Sequence, residues 1–530
     1  MFLKFKHILN TLTAHETRLV IGASIFFFCV LITRTGLAIH NHSVFIPIEG
    51  GEYREGIVGQ PIIIHPVFSE NQPDKDISAL LFTPLGDLLS ALEVNDTGDL
   101  YTLKLKEDLL WDDGERLTSD DIFFTIKTIQ DPRTHSPLLK NWQGVETTRE
   151  SELKLTLHLP SPYIFMDRII NRLTLLPQHI YRALPKENSA LSSYNLAPVG
   201  NGPYMFKNLI TRKDGFISEY HLVPNIHYFR ALPFIQSFVV VFYETLDALF
   251  NDLTIRRIDG MGGRKITNSL PPSFKIEPIG TAESAILFLN LQNDTLKNIS
   301  LRTKLKNTLS RVSLARLAFP CCAYPITNLL SLSSPEEFSE ENKTTTQPIE
   351  SLLSSLTTND APSLTLSFPS TDLFIPIAQE LKKMWEMNNS AHITLDPLTP
   401  REFTQKTNAR TYDLLLAGIA LDIPEDLFSL FHSSERFTPG TNLSGYQNQE
   451  VDKLLEATRE TKDEEKRMAF VSRAWQLIER DISTIPLFSI PYLYAHEQSL
   501  EGFNEQNIIR QEDRFLNVTD WHNASVRVWQ

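Results

Sequence analysis

Only one stretch of the chain is both long and apolar, and it lies near the beginning. Leu19 to Thr33 reads LVIGASIFFFCVLIT without a charge, and after Arg34 the sequence continues TGLAI. A run of this kind either enters lipid or is cut away. Lys4, Lys6 and Arg18 precede it, which keeps the N-terminus in the cytoplasm by the positive-inside rule. As a helix the uncharged run covers about 22 Å, short of a ~30 Å hydrocarbon core. Snorkelling by Arg18 and Arg34, together with Leu37 to Ile39, extends its reach. The competing reading is a cleaved signal peptide. Against it, the stretch before the run is long, no small-x-small cleavage site follows, and Cys29 is preceded by three phenylalanines. The sequence therefore predicts a cytoplasmic stub and an uncleaved transmembrane helix within residues 1–43. That makes a single-pass protein of the cell membrane, and on either reading everything after about residue 40 lies outside the cytoplasm.

From Gly50 to Gln530 no second long apolar run occurs, so the remainder reads as a soluble ectodomain. A chain of 530 residues is too long for one core and predicts two or three domains. Hydrophobic residues make up 42% and charged residues 22%, which excludes disorder. The net charge of −14 excludes nucleic acid, whose phosphates need a basic footprint. Of three cysteines, Cys29 sits in the apolar run and Cys321 and Cys322 are adjacent. No spaced disulfide framework and no CxxC pair exists, and the adjacent pair reads as two buried small hydrophobes.

Strand-like segments alternate with helix-like ones. Pro61–Val67 and Tyr101–Leu105 read as strands. Thr118-Ser119-Asp120-Asp121 before IFFTIKTIQ opens a helix, because a hydroxyl caps free N–H groups and acids favour the positive end; Asp131-Pro132 closes it. Apolar residues at 374, 377, 378, 381, 384 and 385 follow a 3.6 period, and further helices are expected at Glu450–Thr461 and Lys466–Arg480. Residues 331–362 are rich in Ser, Thr, Glu and Asn and read as including an exposed loop. The pattern is mixed α and β without internal repeats.

The chemistry-bearing motifs are few. Trp111-Asp112-Asp113-Gly114 reads as a tight turn rather than a catalytic carboxylate pair, since sequence neighbours at a turn seldom converge on one substrate atom. Gly200-Asn201-Gly202-Pro203-Tyr204 lacks the spacing and lysine of a phosphate loop and reads as a backbone bend where the chain changes domain. The 14 histidines include no HExxH, His40 and His42 flank the apolar run, and no GxSxG elbow occurs. These observations argue against an enzyme and against a metal or other cofactor.

Eight segments in order carry a resemblance. They are GGEYREGIVGQPIIIHPVF near residue 50, DLYTLKLKEDLLWDDGERLTSDDIFFTI, PVGNGPYMF at 198–206 and NIHYF at 225–229. AILFLNLQN at 285–293, YDLLLAGIALDIPEDLFSLF at 412–431, GYQNQEVDKLLEA at 445–457 and ERDISTIPLFSIPYLYA at 479–495 follow. From about residue 50 to 510 the chain resembles the peptide and nickel family of extracellular solute-binding proteins, the peptide-binding components of ABC importers. The resemblance implies a type II periplasmic-binding-protein fold, with two hinged α/β lobes and an extra subdomain. Lobe I is then 44–88, 200–282 and 496–530, the subdomain 89–199, and lobe II 283–495. It also implies hinge closure on a peptide ligand, docking of a monomeric ectodomain to a permease with its ATPase subunits, and no cofactor.

A peptide of variable sequence offers a constant ammonium, carboxylate and backbone. A desolvated ammonium must be paired, and a buried carboxylate serves. By resemblance that residue is Asp422, the alternative being that Asp422 caps the turn at Ile423-Pro424. Glu425 and Asp426 replace the family's "D-P-d" and shape the turn or support Asp422. The loop around Val67, Phe68, Ser69 and Asn71 corresponds to a segment lining the cleft, and Asn290 to an asparagine on a family strand. The family's tryptophan before the aspartate falls at Gly418 or Ile419, so an aromatic pocket wall is absent. The ligand carboxylate has no assigned partner; Arg256, Arg257 and Arg264 are not separable by sequence. Two rival functions stand beside capture and delivery: a membrane-tethered sensor on the same fold, and a hydrolase.

Overall fold

Strand-forming segments gather into three sheets and one ribbon. In the computed structural model the described residues are 13–41, 43–69, 71–183, 193–264, 266, 270–330, 361–504 and 507–529. The largest sheet has eight strands, in spatial order Asn507–Ile508, Phe274–Thr281, Tyr492–Glu497, Gly260–Gly263, Glu52–Val58, Ser237–Tyr243, Ile217–Pro224 and Tyr204–Thr211. A five-stranded sheet runs His392–Leu398, Ser363–Pro369, Leu414–Ala420, Glu283–Leu289 and Thr484–Ser489. Leu89–Val94, Leu100–Leu105, Lys154–His158 and Glu146–Ser151 form a four-stranded antiparallel sheet. Ser43–Pro47 and Ser525–Trp529 make an antiparallel ribbon.

The apolar sequence runs explain the layering. Strand Glu283–Leu289 sends Ala285, Leu287 and Leu289 into one core cluster and Ile286 and Phe288 into another. Both faces of this sheet are therefore covered, and a strand buried on both faces reads as an unbroken run, here AILFL. Ser237–Tyr243 behaves in the same way, with Phe238, Val240 and Phe242 on one side and Val239, Val241 and Tyr243 on the other. Helix Phe374–Met387 buries Phe374, Ile377, Ala378, Leu381 and Trp385, as its period requires.

The chain passes between the two large sheets at Thr281–Glu283 and again between Ser489 and Tyr492. The crossings are stitched together. Thr281 Oγ1 donates to Ile490 O at 2.5 Å, Ile490 N to Glu283 O at 2.9 Å, and Leu421 N to Ala282 O at 3.1 Å.

The turn at Trp111–Gly114 is structural. Trp111 is fully buried and Gly114 has φ +88°. The Asp112 carboxylate accepts from Gly200 N at 2.9 Å while Asp112 N donates to Gly200 O at 2.8 Å, so the two glycine-bearing bends hold each other. Burial pushes the Asp112 carboxyl up to about 6. Gly200 is required by contact, because a Cβ there lies 2.2 Å from Leu81 O. The helix expected after Thr118 spans Ser119–Gln130 with a complete capping box from Thr118 and Asp121.

Two expectations are corrected. Pro61–Val67 is a loop, not a strand: Pro61 and Pro66 offer no N–H, and Ile62 N and Ile63 N donate to the Asp74 carboxylate at 2.7 and 3.1 Å instead of to a neighbouring strand. Cys321 and Cys322 are bonded to each other, with Cys321 exposed and Cys322 buried, rather than two buried thiols. The N-terminal segment is one helix, Ala14–Asn41, but among the described residues no helix is long and apolar enough to cross a membrane. Of the expected loop, residues 331–360 lie outside the described residues.

Candidate functional site

A cleft of two adjoining cavities, about 630 and 690 Å³, opens where the two large sheets and the four-stranded region meet. Pro66, Leu138, Asn171, Arg172, Thr174 and Arg510 line both. Such volumes suit a ligand of drug-like size or a short peptide.

The strand pairing that builds the crossing also delivers charge to the cleft floor. Glu283 pairs with Ala420 at the end of the five-stranded register, so the chain leaves that sheet beside the crossing and Leu421-Asp422 emerge there. On the other side, Gly280 and Thr281 pair in parallel with Asn507 and Ile508, which brings Arg510 to the same place. Asp422 and Arg510 form an ion pair across the first cavity, Oδ2 against Nη2, with side chains 42% and 44% exposed.

Two further arginines frame the opening from helix Met166–Arg172. Arg168 donates to Glu425 at 2.8 and 3.3 Å, and Arg172 to Asp513 at 2.7 and 3.0 Å. One short helix thus clasps both sides of the cleft. Next to it, Tyr163 Oη donates to Asp426 Oδ2 at 2.8 Å, and Arg459 grips the same carboxylate at 2.8 and 2.9 Å while stacking over Phe428 at 3.8 Å.

Behind the second cavity lies a buried charge cluster. Arg514 is 1% exposed and donates to both oxygens of Asp76, at 2.9 and 2.8 Å, and to Glu55 Oε1 at 3.2 and 3.1 Å. Tyr494 Oη donates to Glu55 Oε2 at 2.8 Å. Burial raises the Glu55 carboxyl despite the guanidinium beside it. Gln72 Nε2 bridges Asp76 and Glu512, which ties this cluster to the cavity wall.

The residues singled out by sequence divide. Asp422 faces the first cavity, and Val67 and Ser69 line the second. The Ser69 hydroxyl is engaged within its own loop, donating to Ile63 O at 3.0 Å and His65 O at 2.8 Å. Phe68 lines neither cavity and stacks on His65 with centroids 4.2 Å apart. His65 is buried, and desolvation lowers its pKa to about 3, so it remains a neutral support. Asn71 caps helix Gln72–Leu81 by accepting from Asp74 N at 2.8 Å. Asn290 is buried just past strand Glu283–Leu289 and clips it to the connection before Leu414–Ala420, donating to Tyr412 O at 2.8 Å and Arg410 O at 3.2 Å. Glu425 is taken by Arg168 and lines neither cavity. Sequence reading missed Arg510, Arg172 and Arg514; the last two of the three belong to ion pairs whose partners are hundreds of residues away, which no local pattern marks.

The family model described as bacterial extracellular solute-binding proteins, family 5 Middle, matches residues 83–437. The oligopeptide-binding protein AppA of Bacillus subtilis (strain 168) is 22% identical over 504 residues, 86% of this chain and 89% of its own length. Among solved structures, the ABC transporter substrate-binding protein CtaP of Listeria monocytogenes superposes with a TM-score of 0.76 at 22% identity, covering 89% of this chain and 99% of its own. AppA of Bacillus subtilis in complex with a nonapeptide superposes with a TM-score of 0.68 at 20% identity, covering 90% and 100%.

Proposed function

Since the chain belongs to the bacterial extracellular solute-binding proteins of family 5, we propose that it captures peptides by hinge closure and hands them to an ABC permease and its ATPase subunits. The observation that carries this reading is Asp422: a carboxylate at the crossing between the lobes, facing a cavity of about 630 Å³, is suited to a ligand ammonium. The nonapeptide complex of the Bacillus subtilis relative supports a peptide as the class of ligand. We divide the chain as 44–88, 200–282 and about 491 onward for lobe I, 89–199 for the subdomain and 283 to about 490 for lobe II. The second crossing is set near 490, earlier than 495, because strand Tyr492–Glu497 pairs throughout with Phe274–Ile279. Closure rotates the lobes about the two stitched crossings, and contacts from both favour the closed form. The ligand leaves unaltered, and neither a metal nor a cofactor takes part.

We further propose that helix Ala14–Asn41 holds the ectodomain at the extracytoplasmic face of the cell membrane. Leu19, Ile25, Phe26, Phe27, Phe28 and Ile32 are each at least 60% exposed, a set of apolar side chains suited to lipid contact.

Native mass spectrometry of the purified full-length chain tests capture. Peptides released from it on denaturation are the expected result, and a bound non-peptide solute in their place refutes the peptide reading.

A further inference from the structure

We propose that Arg510 is a specificity-determining residue that stands in for the ligand's cation. Its guanidinium holds Asp422, and a ligand enters by exchanging its own cation for it. This inference rests on the reading of Asp422 as an ammonium site.

The first observation is placement. Arg510 and Asp422 come from different lobes, yet each is brought to the floor of the cleft by pairing with the same crossing segment, Gly280–Glu283. They meet inside the cavity a ligand must fill. The second is exposure. In the two other arginine pairs of the cleft the carboxylate is the enclosed member, with Asp513 10% and Glu425 14% exposed beside arginines at 31% and 40%. In the Asp422–Arg510 pair both members are open, at 42% and 44%. A buried pair is part of the framework, because breaking it strands a desolvated charge; an open one exchanges partners at small cost.

The third observation is that Arg510 can move without disturbing its backbone. Ile509 N and Arg510 N donate to Asp513 Oδ2 at 3.1 and 2.9 Å, and Asp513 is held in turn by Arg172. The guanidinium also has somewhere to go. Arg510 lines the second cavity as well as the first, and Asp87, Glu512 and Asp513 line that second cavity. A ligand ammonium therefore replaces the guanidinium like for like while Arg510 turns toward acidic neighbours. A ligand without a cation breaks the pair and leaves Asp422 without a partner, so the device rejects it.

The test uses the full-length chain in detergent micelles and four variants: Arg510→Met, Arg510→Lys, Asp422→Asn and the double variant Asp422→Asn/Arg510→Met. The probe is a degenerate tripeptide mixture with free amino termini, read by native mass spectrometry. Removing a competing cation from an open ion pair strengthens binding about two- to fivefold in Arg510→Met, the range of an exposed pair. Arg510→Lys keeps a competing cation and stays within about twofold of the parent, which separates this effect from misfolding. In the Asp422→Asn background Arg510→Met changes nothing, since there is no longer a carboxylate to compete for. Single-molecule energy transfer between dyes on the two lobes gives a reading without ligand: the open-to-closed ratio rises by the same two- to fivefold in Arg510→Met. Weaker or unchanged binding of the mixture by Arg510→Met overturns the proposal, the weaker case making Arg510 a direct ligand contact. If the parent chain binds no tripeptide, the peptide reading fails instead, and the ligand-free ratio alone decides the role of Arg510; an unchanged ratio then overturns it.

Discussion

Replacing Arg514 by methionine keeps most of its volume and removes one buried charge. The guanidinium is 1% exposed and serves Glu55 and Asp76, which are 0% and 2% exposed. Without it two carboxylates share a dry site, and removing one partner of a buried pair costs about 3–5 kcal/mol. Opening of strand Glu52–Val58 is the event that relieves the strain. Amide exchange measured by mass spectrometry over that strand should therefore accelerate by at least about 10²-fold at pH 7.5, each 1.4 kcal/mol being a factor of ten. The sign of the pH dependence is also fixed. Burial already raises the Glu55 carboxyl and Arg514 opposes that rise, so the variant's Glu55 goes higher still. A group whose folded pKa lies above its unfolded value loses stability as pH rises through the folded value. The variant's deficit is then largest at neutral pH and shrinks as pH falls and the Glu55 carboxyl takes up its proton. An acceleration below about fivefold, or one equal at pH 5 and pH 7.5, refutes the idea that Arg514 compensates two buried anions.

Three further outcomes are expected. Gly200→Ala forces a Cβ to 2.2 Å from Leu81 O, so the bend at Gly200 and the turn at Asp112 must part; urea unfolding should show a loss of at least about 2 kcal/mol, and an unchanged midpoint contradicts the packing. Asp112 titrates near 6 in the fold, so its contribution is fully present below its unfolded pKa of 3.8 and is lost as pH rises toward and past 6. Asp112→Asn should therefore flatten the fall in stability between pH 4 and 7, by at most ~3 kcal/mol, and an identical pH profile refutes this. Asn71→Ala removes an N-cap and should cost about 1 kcal/mol of stability with ligand affinity unchanged; a selective loss of affinity makes Asn71 a ligand contact instead.

Sequence legibility followed the range of the interactions. Helix Phe374–Met387 and the Thr118 cap were readable because period and capping are local. The strand misread at Pro61–Val67 failed because β-branched residues announce extension, whereas what decides pairing is the partner of each N–H, here the Asp74 carboxylate. The same limit divided the candidate site. Asp422 was legible as a candidate from its motif, and it lines the first cavity. Asn71 and Asn290 look like ligand contacts in sequence, yet their amides are consumed by a helix start and two carbonyls of the connection before strand Leu414–Ala420. Arg510 lies 88 positions from Asp422, and only the shared crossing segment brings them together.

The central claim is that Asp422 receives the ligand's ammonium, and affinity for matched peptides with free and acetylated amino termini tests it directly. Loss of a charge-assisted hydrogen bond is worth about 1.5–3 kcal/mol. Asp422→Asn should therefore weaken free-amine binding about 10- to 100-fold while the acetylated peptides change by less than about threefold. Equal affinities for both classes in the parent and in the variant contradict the account.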